Sequence, residues 1–167
     1  LVHVLLINEK NIGMNDAWYP WLKGELDKRG HVLLTADFPE NDDLEGWRKK
    51  VQEHLKFMDG NSMIIGHGFG AEVALKVLEF KSRTIAAVFL VAGKLGDEQY
   101  DFDNIKSKSR EFFVYASDDD KVVPAESTAH LSEMLGESVL HIQEAGHFDK
   151  ITEFEDLLID IISVLDS

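Results

Sequence analysis

A chain of 167 residues with 44% hydrophobic and 29% charged side chains has the composition of a single globular domain, which excludes the disordered and fibrous classes. Its formal charge of −14 repels a phosphate backbone, and no basic stripe with interleaved aromatics offsets it, so nucleic acid is not an expected partner. The absence of cysteine removes disulfides, thiol nucleophiles and thiolate metal sites, and no apolar run approaches the roughly 20 residues of a membrane span, so a cytoplasmic protein with no membrane partner is expected.

Residues 2–7 are continuously apolar apart from His3, as a strand buried on both faces should be. They are too short, and lack the basic start, for a signal peptide, and the missing initiator methionine points to a trimmed N-terminus. A polar loop over 8–15 leads into a helix expected over 16–29, with Pro20 in its first turn and Gly30 as its stop. Trp18, Leu22 and Leu26 recur at intervals of four and form its inward stripe. Residues 31–35 read as a second strand, and 36–43 as a turn-rich link able to cap a helix over 44–58.

The third strand is expected over 62–65 and the following helix over 71–80, with Val73, Ala74, Val77 and Leu78 facing the sheet. Residues 85–91 form the clearest strand. The segment 94–109 is polar and carries no readable element, so it is expected as a surface excursion near the mouth of a site. A strand over 111–116, a helix over 124–135, a short strand over 138–143 and a closing helix over 151–165 complete the chain. The last helix carries a core stripe of Phe154, Leu158, Ile161, Ile162 and Leu165. Six strands alternating with helices, without repeats or a linker, predict one α/β domain over 1–167, a three-layer sandwich of helices on both faces of a parallel sheet.

Chemistry concentrates at Gly66-His67-Gly68-Phe69-Gly70-Ala71, where a strand gives way to a helix. One pattern with this grammar is the nucleophile elbow, glycine-x-nucleophile-x-glycine, whose sharp turn projects the central side chain while helix N–H groups stabilise an oxyanion. The other is the dinucleotide fingerprint, which Gly66, Gly68 and Ala71 satisfy literally. That fingerprint needs an acid at the end of the next strand, and residues 92–96 contain none. Downstream, Asp118-Asp119-Asp120 follows one strand and Glu144-Ala145-Gly146-His147-Phe148 follows the next, giving an acid and then a histidine after an elbow. Parallel strands deliver all three loops to one edge of the sheet.

With Gly66-His67-x-x-Gly70 at the elbow, Asp120 four residues before Pro124, and Gly146-His147-Phe148, the chain resembles the α/β-hydrolase superfamily. Its size and Trp18-Tyr19-Pro20-Trp21-Leu22 resemble the small serine-hydrolase branch related to retinoblastoma-binding protein nine. The resemblance implies strand order 2-1-3-4-5-6, Asp120 as the acid that orients His147, His147 as general base and acid, and position 68 as the nucleophile. Oxyanion donors would be the amide of Phe69 and one from the first loop, at Asn8. Two departures stand out. Position 68 is glycine, which cannot form an acyl-enzyme. The first loop reads Asn8-Glu9-Lys10-Asn11-Ile12-Gly13 in place of a glycine-rich oxyanion stretch, and its bulk and charge are expected to spoil the second donor.

Losses at two linked functions favour natural divergence into a non-catalytic protein that binds a small molecule or a protein partner. Alternatives are a carboxylesterase-type serine hydrolase seen in a nucleophile-less form, a hydrolase in which Asp120 and His147 activate water directly, and a nucleotide-binding protein using the glycine turn. His67, in the elbow, reads as a packing residue lining the cleft. Asp118, Asp119 and Asp120 do not converge on one ion without partners from elsewhere, so no metal and no cofactor is expected. Ser62, Ser82 and Ser117 do not lie at the elbow tip and are not expected as surrogate nucleophiles.

Overall fold

Apolar runs that are buried on both faces build the sheet, and the alternation of their side chains sends successive residues into two separate cores. The computed structural model describes residues 1–35 and 43–167. Its elements in chain order are β1 (His3–Ile7), α1 (Tyr19–Lys28), β2 (Val32–Thr35), α2 (Leu44–His54) with a 3₁₀ turn (Leu55–Phe57), β3 (Met63–His67), α3 (Phe69–Phe80), β4 (Ile85–Val91), α4 (Phe102–Lys106), β5 (Ser109–Ser117), α5 (Ala125–Leu135), β6 (Val139–Gln143) and α6 (Glu155–Leu165). All strand pairs are parallel and the order is β2-β1-β3-β4-β5-β6, as the superfamily resemblance implies.

One core, beneath α1 and α6, gathers Val4, Leu6, Met63, Ile65 and Phe89 with Trp18, Leu22, Leu26, Phe154 and Ile161. The other, beneath α2, α3 and α5, gathers Leu5, Ile7, Ile64, Val88 and Leu90 with Trp47, Val73, Val77 and Leu131. Neighbours along β1, β3 and β5 thus divide between the two helical layers, while the edge strand β6 places no residue in either core. Of the stripe expected on α6, Phe154, Leu158 and Ile161 are buried, while Ile162 and Leu165 are only partly so; Leu157 and Val164 take the remaining core positions.

Element ends differ from the sequence expectations for local reasons. Helix α1 starts at Tyr19 rather than residue 16, because Ala17 has a positive φ of 53° that no helix accommodates. Helix α2 tightens into the 3₁₀ turn after His54 instead of running on to Met58. It is N-capped by Asp43, whose carboxylate accepts from Gly46 N at 2.8 Å; the rest of the link expected over 36–43 lies outside the described residues. Strand β3 continues to His67, so α3 begins immediately after Gly68. The unassigned segment contains the short α4, N-capped by Asp101 onto Asn104. Among the described residues no helix is long and apolar enough to cross a membrane.

Candidate active site

Strand register places the chemistry. Ile7 pairs with Gly66, His67 with Val91, Val91 with Tyr115 and Ser117 with Gln143, so the C-terminal ends of five adjacent strands are level. The loops after β1, β3, β5 and β6 therefore present Glu9, Gly68, Asp120 and His147 at one edge, where ligands bind in open α/β sheets.

Gly68 is the turn between β3 and α3, with φ 58° and ψ −119°, a conformation that L side chains rarely adopt. Its N–H donates to the carbonyl of Val91 at 2.8 Å, which ties the turn to the next strand. Gly70, the second residue of α3, permits the close approach of β1, since a Cβ there would run into the carbonyl of Ile7.

Asp120 and His147 meet as the resemblance implies. The ring Nδ1 of His147 donates to Asp120 Oδ2 at 2.9 Å, while Asp120 Oδ1 accepts from the amides of Val122 and Val123 at 2.8 and 2.9 Å. Asp119 joins the two loops. Its carboxylate accepts from Ser117 Oγ at 2.7 Å and from Gly146 N at 2.9 Å, and Ser117 Oγ accepts from Ala145 N at 2.9 Å. Asp119 and Asp120 thus brace these loops, and among the described residues no group of three or more metal-ligating side chains is assembled. Ser62 pairs with Asp59 at the far end of β3.

The decisive group is Glu9. Its Oε2 lies 2.6 Å from His147 Nε2, and its Oε1 accepts from the amides of Phe69 at 3.0 Å and Lys10 at 2.7 Å. A Cβ built on Gly68 would overlap Glu9 Oε2. The carboxylate therefore fills the space that a side chain at position 68 would occupy, while its other oxygen takes the amide expected to serve an oxyanion. The second donor on that oxygen is Lys10, not Asn8. Asn8 instead donates its side-chain amide to the carbonyls of Glu9 and Ile12 at 3.2 and 3.0 Å, bracing the loop.

Glu9 is held from behind by a directed chain of hydrogen bonds. Its N–H donates to Tyr19 Oη at 3.0 Å, the Tyr19 hydroxyl donates to His67 Nδ1 at 2.8 Å, and His67 Nε2 donates to the carbonyl of His147 at 2.9 Å. His67 is wholly buried, so it does not line the cleft as expected; it links the first loop to the histidine loop underneath it. Burial also drives its pKa down to about 4, so the ring is neutral, which the single-donor chain requires. Trp18 Nε1 donates to the carbonyl of Phe148 at 3.0 Å, and Lys10 Nζ stands 3.9 Å above the ring of Phe69.

Residues 10–162 match the family described as serine hydrolases. The chain belongs to the serine hydrolase family. It is 25% identical over 161 residues to YdeN of Bacillus subtilis, covering 87% of this chain and 85% of that protein. The crystal structure of the ydeN gene product superimposes with a TM-score of 0.91 at 20% identity, covering 99% of this chain and 98% of the other. A YdeN-like protein from Pectobacterium atrosepticum gives 0.76 at 18% identity, covering 99% and 91%. These are α/β-hydrolase folds, and they extend the likeness over the whole sheet.

In this family member both ring nitrogens of His147 face carboxylate oxygens, so both must donate and the ring is an imidazolium. Burial pushes its pKa down, but the hydrogen bonds to Glu9 and Asp120 outweigh it and raise the value to about 9. Burial likewise pushes Glu9 up, and is outweighed by His147 and the amides of Phe69 and Lys10, which leave its pKa below the ordinary range. The raised imidazole stabilises the fold fully below its unfolded value of 6.5 and loses that contribution as pH rises through about 9. The lowered carboxylate contributes above 4.5 and is lost as pH falls through its folded value. Urea unfolding is therefore expected to show stability declining from about pH 6.5 to 9, by at most about 3 kcal/mol from this pair. Glu9→Gln is expected to flatten that slope, and an unchanged slope in the variant would show that Glu9 does not hold the proton on His147.

Proposed function

We propose that this member of the serine hydrolase family is non-catalytic, a binding or interaction module whose acyl-transfer site is filled by its own Glu9. The observation that supports this reading is the position of one carboxylate, which overlaps the Cβ of any side chain at residue 68, occupies the Phe69 amide and holds His147 protonated. Nucleophile position, oxyanion donor and general base are thereby engaged together. Glycine at 68 and glutamate at 9 fit each other sterically, which supports natural divergence of the two positions as a pair. Direct activation of water by Asp120 and His147 requires an unprotonated Nε2 facing solvent, and here that nitrogen donates to Glu9.

A small-molecule ligand or a short protein segment has room beside the plugged site. A cleft of about 310 Å³ is bordered by Val122, Gly146 and His147, with Lys121, Asp149 and Lys150 at its sides. Kinship to the branch of retinoblastoma-binding protein nine is the finer placement we favour, on Trp18 to Leu22 and the short chain. A fluorophosphonate probe tests the central reading. The wild-type protein is expected to remain unlabelled while an active serine hydrolase in the same tube labels fully, and specific labelling abolished by His147→Ala would overturn the reading.

A further inference from the structure

At the opposite end of the sheet, where β3 and β4 begin, lies a second cleft unrelated to Glu9 and His147. It has a volume of about 410 Å³ and is walled by Leu55, Met58 and Phe80, with Lys56, Lys81 and Arg83 among its lining side chains and no carboxylate. The cleft thus gathers cations in a chain with 31 acidic and 17 basic residues. Lys81 caps the C-terminus of α3 and is only 6% exposed. A lysine covered to this degree buries its aliphatic stem and keeps its ammonium at the solvent edge, here at the cleft. Among the described residues it has no ion pair, and the charged groups acting on it are the cations Arg83 and Lys108, which join burial in lowering its pKa. Lys108 itself donates to the carbonyl of Lys81, adding a further cation to the same corner. On α2, Glu45 is committed to Arg48, whose guanidinium lies 4.1 Å from the centre of the Phe80 ring.

We propose that this cleft binds a small soluble phosphate monoester carrying an apolar group. Lys81, Arg83 and Lys56 would meet the dianion, and Leu55, Met58 and Phe80 the organic portion. Several cations with no acid among them suit a doubly charged head better than a carboxylate, and arginine and lysine hold phosphate by charge-assisted hydrogen bonds. The volume falls in the range of small-molecule sites and leaves space beyond a bare phosphate. The overall charge of −14 repels an anionic membrane or a nucleic acid at long range, so a small ester is favoured over a polyanionic surface.

The test is an amide chemical-shift titration of the full chain with phenyl phosphate, inorganic phosphate and benzoate at low ionic strength. Phenyl phosphate is expected to saturate one site with shifts centred on residues 55–58 and 80–83, at least about tenfold tighter than either of the other two. Arg83 is exposed, so Arg83→Gln leaves the fold intact and is expected to weaken binding about tenfold or more. Lys81→Met is expected to weaken phenyl phosphate binding about tenfold or more, since it removes one of the cations lining the cleft. Failure to saturate, shifts centred on Lys121 and Lys150 instead, or full binding by Arg83→Gln or by Lys81→Met would each overturn the proposal.

Discussion

Gly68→Ser alone is expected to destabilise the protein by about 3 kcal/mol and to leave ester hydrolysis near background. Two physical terms act together. A serine at φ 58° carries backbone strain of about 1–2 kcal/mol, and its Cβ expels the Glu9 carboxylate from three hydrogen bonds. The displaced glutamate remains tethered beside His147 and the Phe69 amide, where it competes with any acyl substrate. Glu9→Gly combined with Gly68→Ser removes that competitor. The double variant is expected to be more stable than Gly68→Ser, with an interaction of at least about 1 kcal/mol in a double-mutant cycle. It is also expected to hydrolyse 4-nitrophenyl acetate at least about 100-fold faster than the single variant, since a serine, a free imidazole and two amides would then converge. Equal stability and equal activity of the two variants would mean that Glu9 does not plug the site.

His147→Ala is expected to cost about 3–5 kcal/mol, the penalty for removing the cation from a buried ionic cluster. The side chain of Asp120 is 1% exposed and that of Glu9 is 14% exposed, and both would face the cavity without a countercharge. Double-jeopardy of this kind distinguishes the present arrangement from a site with an open nucleophile position, in which the histidine contacts one carboxylate. Chemical denaturation of His147→Ala at about pH 6 measures the effect, where the pair is at full strength. Combining it with Glu9→Gln is expected to recover a large part of the loss, because the second substitution neutralises a charge left alone. A cost for His147→Ala below about 1 kcal/mol would show that the ring is not an ionic keystone of the loops.

Much of this arrangement was legible in one dimension. Continuous apolar runs such as Ile85–Val91 announce strands buried on both faces, and the spacing of Trp18, Leu22 and Leu26 announces a helix with one inward face, because burial on a sheet imposes those periods. Asp120 and His147 could be paired on paper because each follows a strand, and parallel strands bring such loops together. Boundaries were less legible. The start of α1 depends on a positive φ at Ala17, and the end of α2 on a switch to 3₁₀ pairing, which are backbone choices without a residue pattern of their own. The segment before β5 hid α4, whose five residues are too few for a helical period to show.

By itself, the sequence determined the sheet, its helical layers, the elbow with glycine at its centre and the acid and histidine downstream, because these rest on local patterns and on a topology that parallel strands enforce. It also raised the expectation that the first loop, bulky and charged, does not serve as an oxyanion stretch. What only the tertiary structure decided is what that loop does. Glu9 and His147 are separated by 138 positions, and no local pattern brings them together. Their contact depends on the levelled ends of β1, β3 and β6, on Gly70 admitting β1 against α3, and on the Tyr19 and His67 chain that aims the loop inward. Gly68 looked like an absence in the sequence, and in the folded protein the same space holds a carboxylate.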